Sequence, residues 1–151
     1  MTELERITDQ VHRSFVGPAW HGPSFMESLN GVDATLANRR PIEAGHTIWE
    51  FVLHISITID VVLGRMEGKM GALSDDMFWS SPASTDEASW QNLLAELPKK
   101  HETLVAAIRA FDAAKLDEPL FSSGSSAVNN FLGHAQHNAY HAGQIAILKK
   151  M

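Results

Sequence analysis

The stretch FVLHISITIDVVLG, residues 51–64, decides which fold this chain adopts. Taken two at a time, Ile55, Ile57, Ile59 and Val61 alternate with Ser56, Thr58 and Asp60. β-Branched residues crowd the segment as they do in a half-buried strand. A longer window favours another period. Ile48, Phe51, Val52, Ile55, Ile59, Val62, Leu63 and Met66 keep the i, i+3, i+4 spacing of one helix face over about five turns. No turn cluster interrupts them, so the spacing predicts a helix from about Ile42 to Met66. His54 and Asp60 break the apolar run, which falls short of a membrane span.

With that segment helical, the remaining elements follow from caps and periodicity. Thr2 precedes Leu4, Ile7, Val11 and Phe15 and predicts a first helix to about Phe15. GPAWHGP, residues 17–23, must turn. Ser24 then caps a short extra helix that Asn30 and Gly31 end. ANRRPIEAGH, residues 37–46, reads as a connection. Residues 67–85, rich in Gly, Ser, Asp and Pro, read as an irregular loop. Thr85, Asp86 and Glu87 open a helix to about Phe111 that carries Trp90, Leu93, Leu94, Leu97, Leu104, Val105 and Ile108. Pro98 inside it predicts a kink. Residues 112–126 read as a second polar loop, and Ser125 or Ser126 opens a last helix to about Lys149. Four main helices and no convincing strand predict an all-α chain, a single antiparallel four-helix bundle over residues 1–151.

Composition narrows the function. The formal charge of -6 gives no basic footprint for nucleic acid and no attraction to an anionic membrane surface. With no cysteine, the chain offers no disulfide, no thiolate nucleophile and no Cys-based zinc site. MTELERITDQVHRSF, residues 1–15, lacks an apolar core and does not read as a signal peptide. A cytoplasmic location is the expectation.

Chemistry concentrates in HAQHNAYHAGQIAILKK, residues 134–150, which holds three of the eight histidines. His137 and His141 are four apart, one above the other on a helix, so both imidazoles can reach one ion. Histidines also fall at this spacing by chance, so a third ligand is needed. His54, amid EFVLHISIT, is the one internal histidine of the long second helix, where an imidazole must find a partner or stay neutral. Two readings stand: a core histidine bonded to a carbonyl or hydroxyl, or a ligand brought to His137 and His141 by bundle packing. Imidazoles suit zinc, nickel, iron or copper rather than magnesium or calcium.

Wheel positions place Val128, Leu132, Ala135, Ala139, Ala142 and Ala146 on one stripe of the last helix, with His134, His137 and His141 roughly opposite. A metal site there is expected in a groove open to water. The small alanines let another helix approach closely, in the bundle or across a dimer. His134 is a bystander, a proton shuttle or a further ligand, and Asn130 and Gln144 are placed to line the site. Glu50, one turn before His54, is either a surface glutamate or a group that orients a ligand or acts as a base. The only tyrosine, Tyr140, points away from the ligand face. A di-iron carboxylate bundle needs two Glu-x-x-His motifs. Glu43 with His46 supplies one beside Gly45, and no second exists. Gly-x-Ser-x-Gly and phosphate-binding glycine loops are absent.

HNAYHAGQIAIL, residues 137–148, resembles the C-terminal helix of the DinB/YfiT-like superfamily, where an HxxxHxGQ-type segment carries two metal ligands. GHTIWEFVLHI, residues 45–55, resembles the second-helix segment whose histidine is the third. GPAWHGPSFMESLNGV and RRPIEAGHTIWE fit the N-terminal half of one branch, so the similarity spans nearly the whole chain. The resemblance implies an antiparallel four-helix bundle, often dimeric, binding a divalent metal (Zn, Ni or Fe) through His54, His137 and His141. Members include transferases and isomerases that use a low-molecular-weight thiol, and proteins described as metal-dependent hydrolases. The expected function is thus a metal-dependent enzyme acting on a small molecule, thiol-transferring or hydrolytic, with Glu50 or His134 as base. The alternatives are a non-enzymatic metal- or ligand-binding stress protein, and a bundle whose histidines are incidental. Trp20 and Trp79 either wall a substrate pocket or cap the bundle.

Overall fold

The chain order is α1 (Glu3–Val16), α2 (Phe25–Ser28), α3 (Ala34–Ala37), α4 (Ile48–Met66), α5 (Asp75–Phe78), α6 (Glu87–Arg109), a 3₁₀ turn (Ala113–Lys115) and α7 (Ala127–Leu148). The computed structural model describes residues 1–69, 73–122 and 124–151, and among these the chain is all-helical. The strand-like alternation of residues 55–61 lies within α4, so the longer period prevails. The loop readings at residues 70–72 and 123 lie outside the described residues.

Side chains that accept hydrogen bonds from first-turn amides set the starts of the long helices. Thr2, Asp86 and Ser126 cap α1, α6 and α7, as expected. Thr47 caps α4: its hydroxyl accepts from the Glu50 amide, while the Glu50 carboxylate accepts from the Thr47 amide. This reciprocal box starts α4 at Ile48 rather than Ile42, and the residues before it turn through a bond from the Gly45 amide to the Ile42 carbonyl. Pro98 does not end α6, which continues through it. Two four-residue helices, α3 and α5, were not expected, since neither is long enough to show a period.

Contacts fix the sense of the helices. Trp49 meets Trp90 at a ring separation of 5.1 Å, and Asp60 meets Lys100 at 2.6 Å, so α4 and α6 run parallel. His54 meets His137, and Arg65 meets Asn130, so α4 and α7 run antiparallel. Phe15 stacks on His101, while Met1 and Glu5 share a cavity wall with Arg109, making α1 antiparallel to α6. It follows that α1 and α7 are parallel. The bundle expected from the sequence is present, but two of its neighbouring pairs run in the same sense. A parallel pair needs a crossover as long as the helix, about 28 Å for 19 residues at about 1.5 Å each. The connection from α4 to α6 makes that return, and on it Phe78 and Trp79 lie beside His54, about three turns back along α4.

Phe15, Phe25, Ile55, Ile59, Trp90, Leu104, Ile108, Phe131 and Ile145 are fully buried and hold the helices together. Each stabilises the fold by roughly 1.5–3 kcal/mol through burial. The Trp90 indole also donates to the Val32 carbonyl at 2.8 Å, fastening the α2–α3 segment to α6. No helix among the described residues is long and apolar enough to cross a membrane.

Candidate metal centre

The antiparallel packing of α4 on α7 sets position 54 opposite positions 137 and 141. His54 Nε2 lies 3.0 Å from His137 Nε2, and His137 Nε2 lies 2.8 Å from His141 Nε2. One ring nitrogen from each histidine falls within 4.8 Å of the others. The three residues singled out in the sequence therefore converge.

The outer nitrogens decide the state of the inner ones. His54 Nδ1 lies 2.9 Å from the Phe78 carbonyl, which can only accept, so the proton sits on Nδ1. His141 Nδ1 faces the Gln144 amide oxygen at 2.5 Å and carries its proton for the same reason. Both Nε2 atoms are then bare lone pairs aimed at His137 Nε2. A proton on His137 can serve one of them, not both. With all three imidazoles neutral, at least one of these contacts is left as facing lone pairs unless a cation lies among them. An ion bound by imidazole at about 2.0–2.1 Å holds its ligating atoms roughly 3 Å apart. The three-imidazole donor set and its two short separations thus fit a divalent transition metal, with all three nitrogens within 4.8 Å of one another, and the Phe78 carbonyl and Gln144 are the outer partners that such ligands need.

Burial keeps these rings neutral at physiological pH. It pushes His137 down to about 3 and His141 down to about 4, and the neighbouring imidazoles add to the first effect. His54 is lowered by burial too, against the opposing pull of the Phe78 carbonyl. Neutral imidazole is the form that binds metal, so no proton competes near pH 7.

Aromatic rings close the site on one side. Trp79 stacks on His54 at 4.0 Å with 3° between planes, and His46 stacks on the far face of the indole at 3.6 Å. Phe51 lies 5.0 Å from His141. Trp79 therefore belongs to the site, whereas Trp20 is fully exposed and lines a separate surface cleft with Arg13 and Gln136.

The histidines do not lie on a solvated face. Phe131, His134, Asn138, His141, Ile145 and Leu148 are buried, and Gln136, Tyr140, Gly143 and Ile147 form the exposed stripe. The wheel was misread because alanine is indifferent to burial, and because polar residues occupy much of the inward face. Asn138 is one of these, donating to the Ser14 hydroxyl at 3.1 Å. His54 and His141 lie at an enclosed junction between helices, and the open side of the site is at His137, which is half-buried and lines a surface cavity.

Glu50 is buried but engaged elsewhere. One carboxylate oxygen accepts from Arg40 at 2.7 Å; the other caps α4 and lies 3.4 Å from His46. Burial works to raise its pKa, but the Thr47 amide and Arg40 together more than offset this and hold it below the usual carboxylate range. His134 is enclosed, and neither ring nitrogen has a hydrogen-bond partner among the described residues. Desolvation, with His101 nearby, pushes it down to about 3. Sequence reasoning overlooked His101 and Arg65. His101 stands at an apolar position of α6 and was hidden by the leucines around it; Arg65 passed for an ordinary helix-end cation.

A family model of the DinB superfamily matches residues 20–145, a span that includes all three histidines. No curated protein and no solved structure matches the chain.

Proposed function

The chain belongs to the DinB superfamily, and from that premise we propose that it binds a divalent transition metal through His54, His137 and His141 and uses it to act on a small molecule. The approach of His54 Nε2 and His141 Nε2 to His137 Nε2 at 3.0 and 2.8 Å, the first two fixed as lone-pair donors, carries this reading. A bound ion of this kind lowers the pKa of a water or thiol and so supplies a nucleophile near neutral pH. The protein's own residues hold the geometry. The Phe78 carbonyl and Gln144 orient two ligands, and the Trp79 indole keeps water from the face of His54.

Of the two candidate bases, Glu50 is favoured less, because an ionised carboxylate already bonded to Arg40 and Thr47 accepts a further proton poorly. His134 lines a cavity together with His137. Its low pKa makes it a weak base, so a hydrogen-bonding role towards a bound molecule suits it better. Thiol transfer to an electrophile is the reaction we favour, with hydrolysis next; the non-enzymatic alternative is a metal-binding stress protein.

Untagged protein should carry close to one equivalent of metal per chain by elemental analysis. His54→Ala should remove it and His12→Ala, where α1 meets Glu102 of α6, should not. Equal metal in both variants would end the proposal. Conjugation assays with low-molecular-weight thiols and a panel of electrophiles, with and without metal, then separate an enzyme from a binding protein. Gln144→Leu, which deprives His141 Nδ1–H of its acceptor, should weaken metal binding about 10–100-fold, as read by competition with a chromogenic chelator. Unchanged affinity would mean that the Gln144 contact plays no part in holding the ligand.

A further inference from the structure

We propose that the cavity beside His137 receives an elongated small molecule whose far end is a carboxylate, held by Arg65. The inference rests on the metal reading above for the near end only. The cavity has a volume of about 320 Å³, enough for a small ligand. Its walls run along α7 from His137 past His134 and Gly133 to Asn130, and along α4 from Thr58 to Arg65. His137 lies seven positions beyond Asn130 on α7, a rise of about 10 Å. Val61, Val62 and Phe78 make the middle of the wall apolar.

The polar chemistry sits at the end away from the histidines. Arg65 donates to the Asn130 side-chain oxygen at 2.8 Å. Asn130 cannot turn away, because its amide nitrogen is held by the carbonyls of Ser125 and Ser126 and the Ser125 hydroxyl at 2.8–3.0 Å. Asn130 thus positions the guanidinium. Among the described residues Arg65 forms no ion pair, unlike Arg13 and Arg40. Its place in the last turn of α4 suits the helix dipole but does not use its remaining N–H donors. Backbone donors at the start of α7 are not on offer: the amides of Ala127 and Val128 bond to the carbonyls of Glu118 and Leu116, and that of Asn129 to the Ser126 hydroxyl. Arg65 is the one Lys or Arg among the residues lining the cavity, and its planar fork matches a carboxylate. An apolar spacer of about 10 Å with a charge at one end fits this lining.

The test uses hexanoate and its uncharged counterpart 1-hexanol, titrated into metal-free protein while ¹H–¹⁵N NMR follows the Arg65 side-chain resonance. Hexanoate should give a saturable shift at concentrations where hexanol gives none, and Arg65→Met should abolish it. Arg65→Lys keeps the charge, guards against loss of fold, and should bind hexanoate with reduced affinity. On cobalt-loaded protein, 6-mercaptohexanoate should bind about tenfold more tightly than 6-mercaptohexanol, as a charge-assisted pair implies, read from the thiolate-to-cobalt absorption band. In Arg65→Met the two thiols should bind alike. Equal binding of hexanoate and hexanol, or a preference that survives Arg65→Met, overturns the proposal. A preserved hexanoate shift with no cobalt bound would instead overturn the metal reading and leave the carboxylate site standing.

Discussion

His137→Ala should lower metal affinity on the order of 10²–10³-fold while leaving the metal-free protein no less stable. The two halves of that result have one cause. His137 Nε2 lies 3.0 Å from His54 Nε2 and 2.8 Å from His141 Nε2, so it is the shared neighbour of the triad. Removing it leaves two imidazoles, each still oriented by its own outer partner. Binding energies of roughly 10–16 kcal/mol for structural sites of four ligands imply about 2.5–4 kcal/mol per ligand, or two to three decades. Without metal, the same substitution removes a lone-pair repulsion and a ring that is only half-buried. The expected loss is therefore confined to the stabilisation that metal adds, which scales with the logarithm of ligand excess over Kd. Thermal unfolding with and without a tenfold excess of zinc reads both quantities. A large drop in the midpoint of metal-free His137→Ala would show that the triad is a packing element, and an undiminished zinc response would remove His137 from the ligand set.

The sequence revealed the helices best where a cap and a period agreed. Thr2, Ser24, Asp86 and Ser126 each open a helix at the expected place, since a short polar side chain before an apolar-periodic run satisfies amides that nothing else reaches. The start of α4 was missed because Ile42 extends the apolar pattern by itself, whereas the Thr47–Glu50 box is two polar residues in a segment read for its hydrophobes. Helix sense was not legible either. Periodicity identifies a face but says nothing about the direction of a neighbour, and only the length of the 67–86 connection allows α4 and α6 to run parallel. Of the site, the spacing of His137 and His141 was visible, and the resemblance linked them to His54. The outer partners were not visible: the Phe78 carbonyl has no side-chain signature, and its position over His54 depends on the crossover. Arg65 and Asn130 meet across 65 residues of sequence, a pairing that no local pattern encodes.

Acid should unfold the metal-free protein earlier than its carboxylates alone would dictate, and His101 should account for a measurable part of this. The ring is fully buried, stacks on Phe15 at 4.0 Å, and has no hydrogen-bond partner for either nitrogen among the described residues. Burial, reinforced by His12 alongside, pushes it down to about 3 from an ordinary 6.5. The unfolded chain therefore takes up a proton as pH falls through 6.5, while the folded chain does not until about 3. Stability from this group is complete above 6.5 and is lost progressively below it. Each pH unit in that window costs about 1.4 kcal/mol, so moving from pH 7 to pH 5 removes about 2 kcal/mol through His101 alone. His134, enclosed and lowered to about 3 in the same way, adds a loss of the same sign. His101→Phe keeps a planar ring on Phe15 and removes two unpaired polar atoms, so it should be neutral or stabilising at pH 7. Urea unfolding of both proteins at pH 7 and pH 5, with metal chelated throughout, isolates the effect. The variant should lose about 2 kcal/mol less than the parent between the two conditions. Identical losses would mean that His101 gains a partner or water on protonation, and that its burial does not govern its charge.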